Sequence, residues 1–273
     1  VASAILTDDL LLSLVATGAV FGYERNMASV STCELVVVMP IFNEADCLGA
    51  VLEEWTAVLD RTGIAWRLLA LDDGSTDDTP SVLSSWLVRL GPERMEVLRH
   101  ANRGHGRSCL RGYLRACELG VPWVMQIDSD GQCDASFFAP VWSARDTADV
   151  VYGVRRRRLD GWRRVLASAL VRLLVRARSG VDCPDANVPY RLMRTAGLPG
   201  VLATIHGDFD LANIALAVQL RRAEWREACV DIVFRPRASG EPSVPLHRFA
   251  VKAAELAVQL GRLPAPAAAP RAG

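Results

Sequence analysis

Short unbroken apolar runs recur along the first 150 residues at intervals of about thirty residues, the spacing of strand–helix–strand units. The runs at 36–39, 68–71, 95–98, 123–127 and 150–152 lack alternation, which is the pattern of strands covered on both faces. Between them, 45–60, 77–90, 106–119 and 135–145 place apolar residues every three or four positions and predict helices. The sum is an α/β fold with a doubly wound, mostly parallel sheet, and such sheets bind ligands at the carboxyl ends of their strands. After Gly153 the rhythm changes to a long basic and apolar helix at 161–179, a loop, a helix at 208–220, a strand at 228–234 and a last helix at 245–260. No internal repeat is visible.

The two ends read differently from this body. The apolar stretch 10–21 is too short to span a bilayer and follows Asp8 and Asp9 instead of the basic flank of a signal peptide. A packed or surface-lying helix is expected there, and Met27 is a candidate natural start. We divide the chain into an N-terminal extension at 1–30, a catalytic domain at 31–240, a C-terminal helix at 241–262 and a Pro/Ala-rich, disordered tail at 263–273.

Composition narrows the function classes. With 273 residues and 51% hydrophobic content the chain can bury a full core, which excludes disordered and fibrous classes. Its 31 basic residues balance 31 acidic ones, so no global field recruits nucleic acid. Lys252 is the only lysine, a bias we attribute to high-GC bacterial codon usage. Cys33, Cys47, Cys109, Cys117, Cys133, Cys183 and Cys229 form no Cys-x-x-Cys pair, which argues for reduced thiols in the cytoplasm and against a zinc site.

Chemistry concentrates at four predicted strand ends. Asp128 and Asp130 close the run 123–127; residues i and i+2 of a strand share a side, so both carboxylates face one way and Ser129 another. A paired hard-oxygen site with no base beside it suits Mg²⁺ or Mn²⁺, although Asp-Ser-Asp-Gly is equally good turn chemistry. After the first strand, Phe42 offers a flat face and Glu44 an acceptor, while Asn43 is the expected helix cap. After the second, Gly74 makes a turn and Asp77 can cap the next helix, which leaves Asp72 and Asp73 surplus and able to hold an imide N–H of uracil or guanine. After the third, Asn102-Arg103-Gly104-His105-Gly106 opens a helix whose N-terminus favours phosphate.

The order and contents of these segments resemble family 2 glycosyltransferases of the GT-A fold, in the branch of dolichol-phosphate mannose synthase and other polyprenyl-phosphate glycosyltransferases. The resemblance rests on Val38-Met39-Pro40-Ile41-Phe42-Asn43-Glu44, Asp72-Asp73-Gly74-Ser75 and Asp128-Ser129-Asp130-Gly131-Gln132, and more weakly on Gly153-Val154-Arg155 and residues 185–191. It implies a Rossmann-like GT-A domain with a C-terminal helical, interfacial elaboration. It also implies a donor nucleotide held by Pro40, Phe42, Glu44, Asp72, Asp73, Gly104 and Asp128, and Mg²⁺ or Mn²⁺ held by Asp128, Asp130 and Gln132. Arg155, Arg164, Ser168 and Arg191 would hold an acceptor phosphate, with Asp128, Asp130 and Arg191 as the catalytic set. Cys133-Asp134-Ala135-Ser136 and Asn187-Val188-Pro189-Tyr190-Arg191 depart from the family's usual blocks, the second where sugar or acceptor choice is set.

The implied reaction moves a hexose, with inversion, from a GDP- or UDP-sugar to a dolichyl or undecaprenyl phosphate, an anion that needs no general base. Helix 161–179 interleaves Trp162, Leu166, Leu170, Leu173 and Leu174 with Arg163, Arg164, Arg172, Arg176 and Arg178, a composition that fits peripheral contact at the cytoplasmic membrane face. A solvated cluster is the alternative for the run Arg155-Arg156-Arg157-Arg158, and a packed helix with salt bridges for 161–179. A second reading keeps the donor but uses a soluble hydroxyl acceptor, with Asp208 or Asp210 as base. A third is a silent sugar-nucleotide-binding protein.

Overall fold

The computed structural model describes residues 33–157, 162–183, 185–205, 209, 211–235 and 249–264, with the side chains of 156–168 and 249–252 left aside. The expected N-terminal extension, His206, Asp208, Asp210 and most of the expected tail lie outside the described residues. Leu263 is buried and the Pro264 carbonyl accepts from Gln219 Nε2 at 3.1 Å, so the tail expected to begin at 263 is still held to the body there.

Seven strands form one sheet: β1 (Leu35–Ile41), β2 (Trp66–Asp72), β3 (Met95–Arg99), β4 (Trp123–Gln126), β5 (Val150–Arg157), β6 (Arg191–Arg194) and β7 (Glu227–Val233). Their order is β3-β2-β1-β4-β6-β5-β7. The first four run parallel, as the apolar runs predict. All seven residues of β1 are buried, which requires cover on both faces of the sheet. By Pro40, β4 has already ended beside Val38, so a residue without an N–H is tolerated in this central strand.

β6 is the departure from a parallel sheet. It pairs antiparallel with both β4 and β5, while β5 and β7 are parallel. Its four residues, Arg-Leu-Met-Arg, begin and end on charge and therefore leave no apolar run for a reader of the sequence to find.

The helices are α1 (Ala45–Thr62), α2 (Thr79–Leu90), α3 (His105–Glu118), α4 (Phe138–Ala144), α5 (Trp162–Ser179), α6 (Leu198–Leu202), α7 (Ala212–Arg222) and α8 (Phe249–Gly261). Burial of Cys47, Leu48, Val51, Leu52, Trp55 and Leu59 defines the inward stripe of α1, and Gly63 ends it in the left-handed region. The Trp55 ring packs 5.6 Å from Tyr190 and 6.4 Å from Phe138, which ties α1 to the segment before β6 and to α4. α3 lies close on β1 because Gly112 leaves room: a Cβ there would stand 2.4 Å from Val38 Cγ1.

Candidate active site

Chain order turns at the centre of the sheet. From β1 the chain winds outward to β3 and then returns to the other side of β1 as β4, which creates the crevice where such sheets take ligands. Ile127 N–H donates to the Val38 carbonyl (3.1 Å), and buried Ser129 donates through Oγ to the Pro40 carbonyl (3.0 Å). Asp128 and Asp130, on either side of Ser129, are half-buried. The alternation expected from the sequence thus persists beyond the last paired strand residue. Asp130 Oδ1 also accepts from the Gln132 N–H at 3.1 Å, which folds the loop back on itself.

A base does stand beside the pair, contrary to the sequence reading. His105, the first residue of α3, places Nε2 3.0 Å from Asp128 Oδ1. Half of its side chain is exposed, and enclosure of the rest opposes charge. Cys109, one turn on, and Asp128 outweigh that and hold the imidazole pKa well above its ordinary value. The signal was the strand-end position of the 102–106 loop, whose glycines drew the reading toward phosphate and away from the histidine.

The loops after β1 and β2 are clasped to each other. Asn43 N–H donates to Ser75 Oγ (3.0 Å), Glu44 N–H to Thr79 Oγ1 (3.0 Å), Ala45 N–H to Asp77 Oδ2 (3.1 Å), and Thr76 N–H to Asn43 Oδ1 (2.8 Å). Asn43 is not the helix cap expected of it: its φ is 53°, α1 starts at Ala45, and its side chain serves the neighbouring loop. The N-cap position of α2 falls to Asp78, not to Asp77 as expected, but Asp77 one residue earlier accepts from the Thr79 N–H at 3.0 Å. Partial burial raises the Asp77 pKa, but the bonds from Thr79 and Ala45 outweigh it and hold the carboxyl below the usual range.

Asp72 and Asp73 are not surplus either. Both are buried; Asp72 Oδ1 accepts from the Ser75 N–H (2.8 Å) and Oδ2 lies 3.2 Å from Arg99 Nε. Asp73 accepts from the backbone N–H groups of Arg103 (2.7 Å) and Gly104 (2.9 Å), which positions the third strand-end loop. Burial of a carboxylate is costly unless it is paired and hydrogen-bonded; here the loops supply backbone donors and Arg99, at the end of β3, supplies the charge beside Asp72. Gly74 lets the two loops approach: its φ is 77° and a Cβ would meet the Asn102 nitrogen at 2.8 Å. Of the residues expected around a nucleotide, Phe42 alone presents a largely open face, at 44% exposure, while Pro40 and Glu44 are buried and Gly104 is exposed.

On the other side of the acid pair, two of the expected phosphate-binding arginines are engaged or enclosed by the protein itself. Arg155 forms a two-pronged pair with Asp185 at 2.7 and 2.6 Å, so its charge is already matched. Arg191 is 0% exposed. One of its nitrogens, Nη2, donates to the carbonyls of Ala186 (3.0 Å) and Asn213 (3.1 Å), and Nε and Nη1 have no hydrogen-bond partners among the described residues. Arg191 is thus enclosed by the protein and not displayed at an open surface, in contrast to the acceptor contact that its matching motif implies. Arg164 and Ser168 lie on α5, with side chains outside the described residues. Leu170 and Leu173 on the same helix are 50% and 63% exposed, while Arg172 pairs with Asp182.

Among the described residues no three His, Cys, Asp or Glu side chains cluster as a metal cage. Two half-buried carboxylates and the Gln132 amide form an incomplete, oxygen-only set, the kind that Mg²⁺ or Mn²⁺ completes with phosphate oxygens and water. The residues present therefore fit a cation that arrives with a diphosphate. Cys133, beside them, is a neutral thiol, because burial and the charge of Asp128 push its pKa well up.

A family model described as glycosyl transferase family 2 matches residues 36–197, more than half of the chain. The chain belongs to that family. Among curated proteins, this family 2 member is similar to undecaprenyl-phosphate 4-deoxy-4-formamido-L-arabinose transferase from Edwardsiella ictaluri, 28% identical over 178 residues that cover 64% of this chain and 54% of the relative. The protein of the same name from Enterobacter sp. is 28% identical over 159 residues, 58% of this chain and 48% of that one. The chain spans about half the length of these relatives. Among solved structures, glucosyl-3-phosphoglycerate synthase from Mycobacterium tuberculosis, in complex with Mn²⁺, UDP and phosphoglyceric acid, superposes with a TM-score of 0.61 at 19% identity, over 86% of this chain and 80% of that one. Mannosyl-3-phosphoglycerate synthase from Rubrobacter xylanophilus gives 0.55 at 20% identity, over 85% and 76%. The shared fold is the GT-A fold.

Proposed function

We propose that this family 2 member is a metal-dependent, inverting glycosyltransferase that moves a hexose from a nucleotide sugar to a polyprenyl phosphate at the cytoplasmic membrane face. The observation that carries the reading is the placement of Asp128 and Asp130, together and half-open, in the crevice between β1 and β4. A divalent cation bound there would neutralise the negative charge that grows on a departing nucleoside diphosphate. The chain's own residues set the stage for that step. Phe42 gives a base a flat surface, and the clasped loops at 41–45 and 72–79 hold the nucleoside's flank rigid. Asp72 and Asp73 act by shaping those loops, and Gly104 leaves backbone open to phosphate. His105 holds one carboxylate of the pair in place.

For the acceptor, the exposed Leu170 and Leu173 and the arginines of α5 support a lipid-borne phosphate. Each basic residue near an anionic leaflet contributes on the order of 1 kcal/mol. No described helix is long and apolar enough to cross a membrane, so the proposed contact is peripheral. Arg164 and Ser168 are the proposed phosphate contacts.

A second reading is transfer to a hydroxyl of a soluble acceptor with Asp208 or Asp210 as base; the two structural neighbours named above are a mannosyl- and a glucosyl-3-phosphoglycerate synthase. Labelled sugar from GDP- and UDP-sugars, offered with Mn²⁺ and undecaprenyl phosphate, separates the two. Label in an organic-extractable product supports the lipid acceptor; label confined to an aqueous conjugate overturns it.

A further inference from the structure

The loop that carries the acid pair leaves the sheet at Gln126 and must be held by something other than strand pairing. Upstream, Ser129 ties it to β1. Downstream, Tyr190 Oη donates to the Asp134 carbonyl (3.2 Å), and several further ties lead to the end of β7. Cys133 bridges Phe234, Arg235 N–H donates to the Gln132 carbonyl (3.1 Å), and Gln132 Nε2 donates to the Arg235 carbonyl (3.2 Å). The Arg235 guanidinium then spans two other elements: Nη1 lies 2.6 Å from Glu54 Oε2 on α1, and Nη2 lies 2.9 Å from Asp134 Oδ1. Glu54 closes the loop by accepting the Ala135 N–H through Oε1 at 3.1 Å.

We propose that Arg235 is a positioning residue that fixes the Gln132 amide so that its oxygen, and not its nitrogen, is presented to the cation and diphosphate beside Asp128 and Asp130. The inference rests on the proposed role of that pair. A primary amide has one acceptor atom and one donor atom, and with the nitrogen committed to the Arg235 carbonyl only the oxygen is left for a hard cation. A flipped amide would aim N–H groups at positive charge. The carbonyl that decides between these orientations belongs to a residue at the end of an edge strand. Its place is set by the guanidinium's grip on Glu54 and Asp134.

Stability is not what this grip supplies. The Arg235 side chain is 43% exposed, and exposed ion pairs contribute little to stability once solvent screens them. Partners that orient metal ligands, by contrast, change metal affinity by about 10–100-fold when removed. The two roles therefore predict different measurements.

The test uses the full chain with Mn²⁺ and either UDP or GDP, followed by electron paramagnetic resonance of free Mn²⁺ and by thermal unfolding. Arg235→Ala is expected to weaken Mn²⁺–nucleotide binding by about tenfold, with Tm unchanged within about 2 °C. Arg235→Lys should restore part of the affinity by keeping one ion pair, and Glu54→Gln should weaken binding in the same direction as Arg235→Ala. Wild-type affinity in Arg235→Ala, or a loss that appears only alongside a matching fall in Tm, overturns the proposal while leaving the role of the acid pair standing. Wild-type protein that holds no Mn²⁺ with either nucleotide overturns both.

Discussion

The halves of the sheet handle polar groups in opposite ways. Around β1, β2 and β4, buried carboxylates are matched by backbone donors, and three strand-end loops are clasped into one rim. Around β5 and β6 the buried charge is instead the Arg191 guanidinium, which donates through one nitrogen to the carbonyls of Ala186 and Asn213. Further out, α5 presents leucines to solvent. Among the described residues both halves keep buried polar atoms without a hydrogen-bond partner: Trp55 Nε1, Arg67 Nε, Asp72 Oδ2 and Gln126 Nε2 in the first, and Arg191 Nε and Nη1 and the Tyr152 hydroxyl in the second. The comparison teaches that the first half is ordered by hydrogen bonds running between its loops, whereas the second is tied together by an enclosed cation and by the Arg155–Asp185 pair.

The sharpest way to break this contrast is at the acid pair. Asp130→Asn should lower sugar transfer by about a thousandfold, the scale of losing a preorganised electrostatic contact, with unchanged Tm because the residue lies outside the core. Full activity in that variant with metal chelated would end the metal reading. On the other half, Arg164→Ala should weaken acceptor use by about tenfold or more, as the loss of a charge-assisted phosphate contact, and far more than donor hydrolysis. Equal losses in the two assays would remove Arg164 from the acceptor site.

Smaller effects sharpen the picture. Replacing Leu170 and Leu173 together by Ser should cut co-sedimentation with anionic vesicles by about tenfold or more, since each buried leucine contributes about 1.5–3 kcal/mol. Unchanged sedimentation would leave those leucines without a lipid partner. In the first half, Gly112→Ala should cost about 1–3 kcal/mol of stability, read by urea denaturation, because its Cβ has no space against Val38. The smallest effect concerns pH. The Asp77 carboxyl is depressed on folding, so its contribution is present above the unfolded value of about 3.9 and is lost as pH falls through the lower folded value. Asp77→Asn should therefore lower Tm at pH 6 and converge with wild type in strong acid. A constant gap down to pH 2 would mean that the carboxylate charge is not involved.

Much of the first half was legible from sequence for a physical reason. Strands covered on both faces must be apolar throughout, and acids at their ends interrupt that pattern visibly. The acid pair, its alternation about Ser129 and the strands up to β5 were all read on these grounds. What escaped was whatever depends on contacts between loops. His105 reaches Asp128 from a different strand end, 23 residues away in the chain. Asn43 spends its side chain on Thr76 and not on its own helix, and Asp73 serves residues 103 and 104. β6 was invisible because a four-residue strand bounded by arginines carries no apolar signature.

The reversed direction of β6 has a consequence of its own. An antiparallel strand between parallel neighbours enters the sheet at the edge where they exit, so Arg191 sits level with Gln126 and the segment leading into it borders the ligand crevice. Additions to that segment would build up one wall of the crevice without disturbing the strands or the acids on the far side. Evolution can thus retailor what the enzyme glycosylates while the acid pair and the loops around it stay as they are.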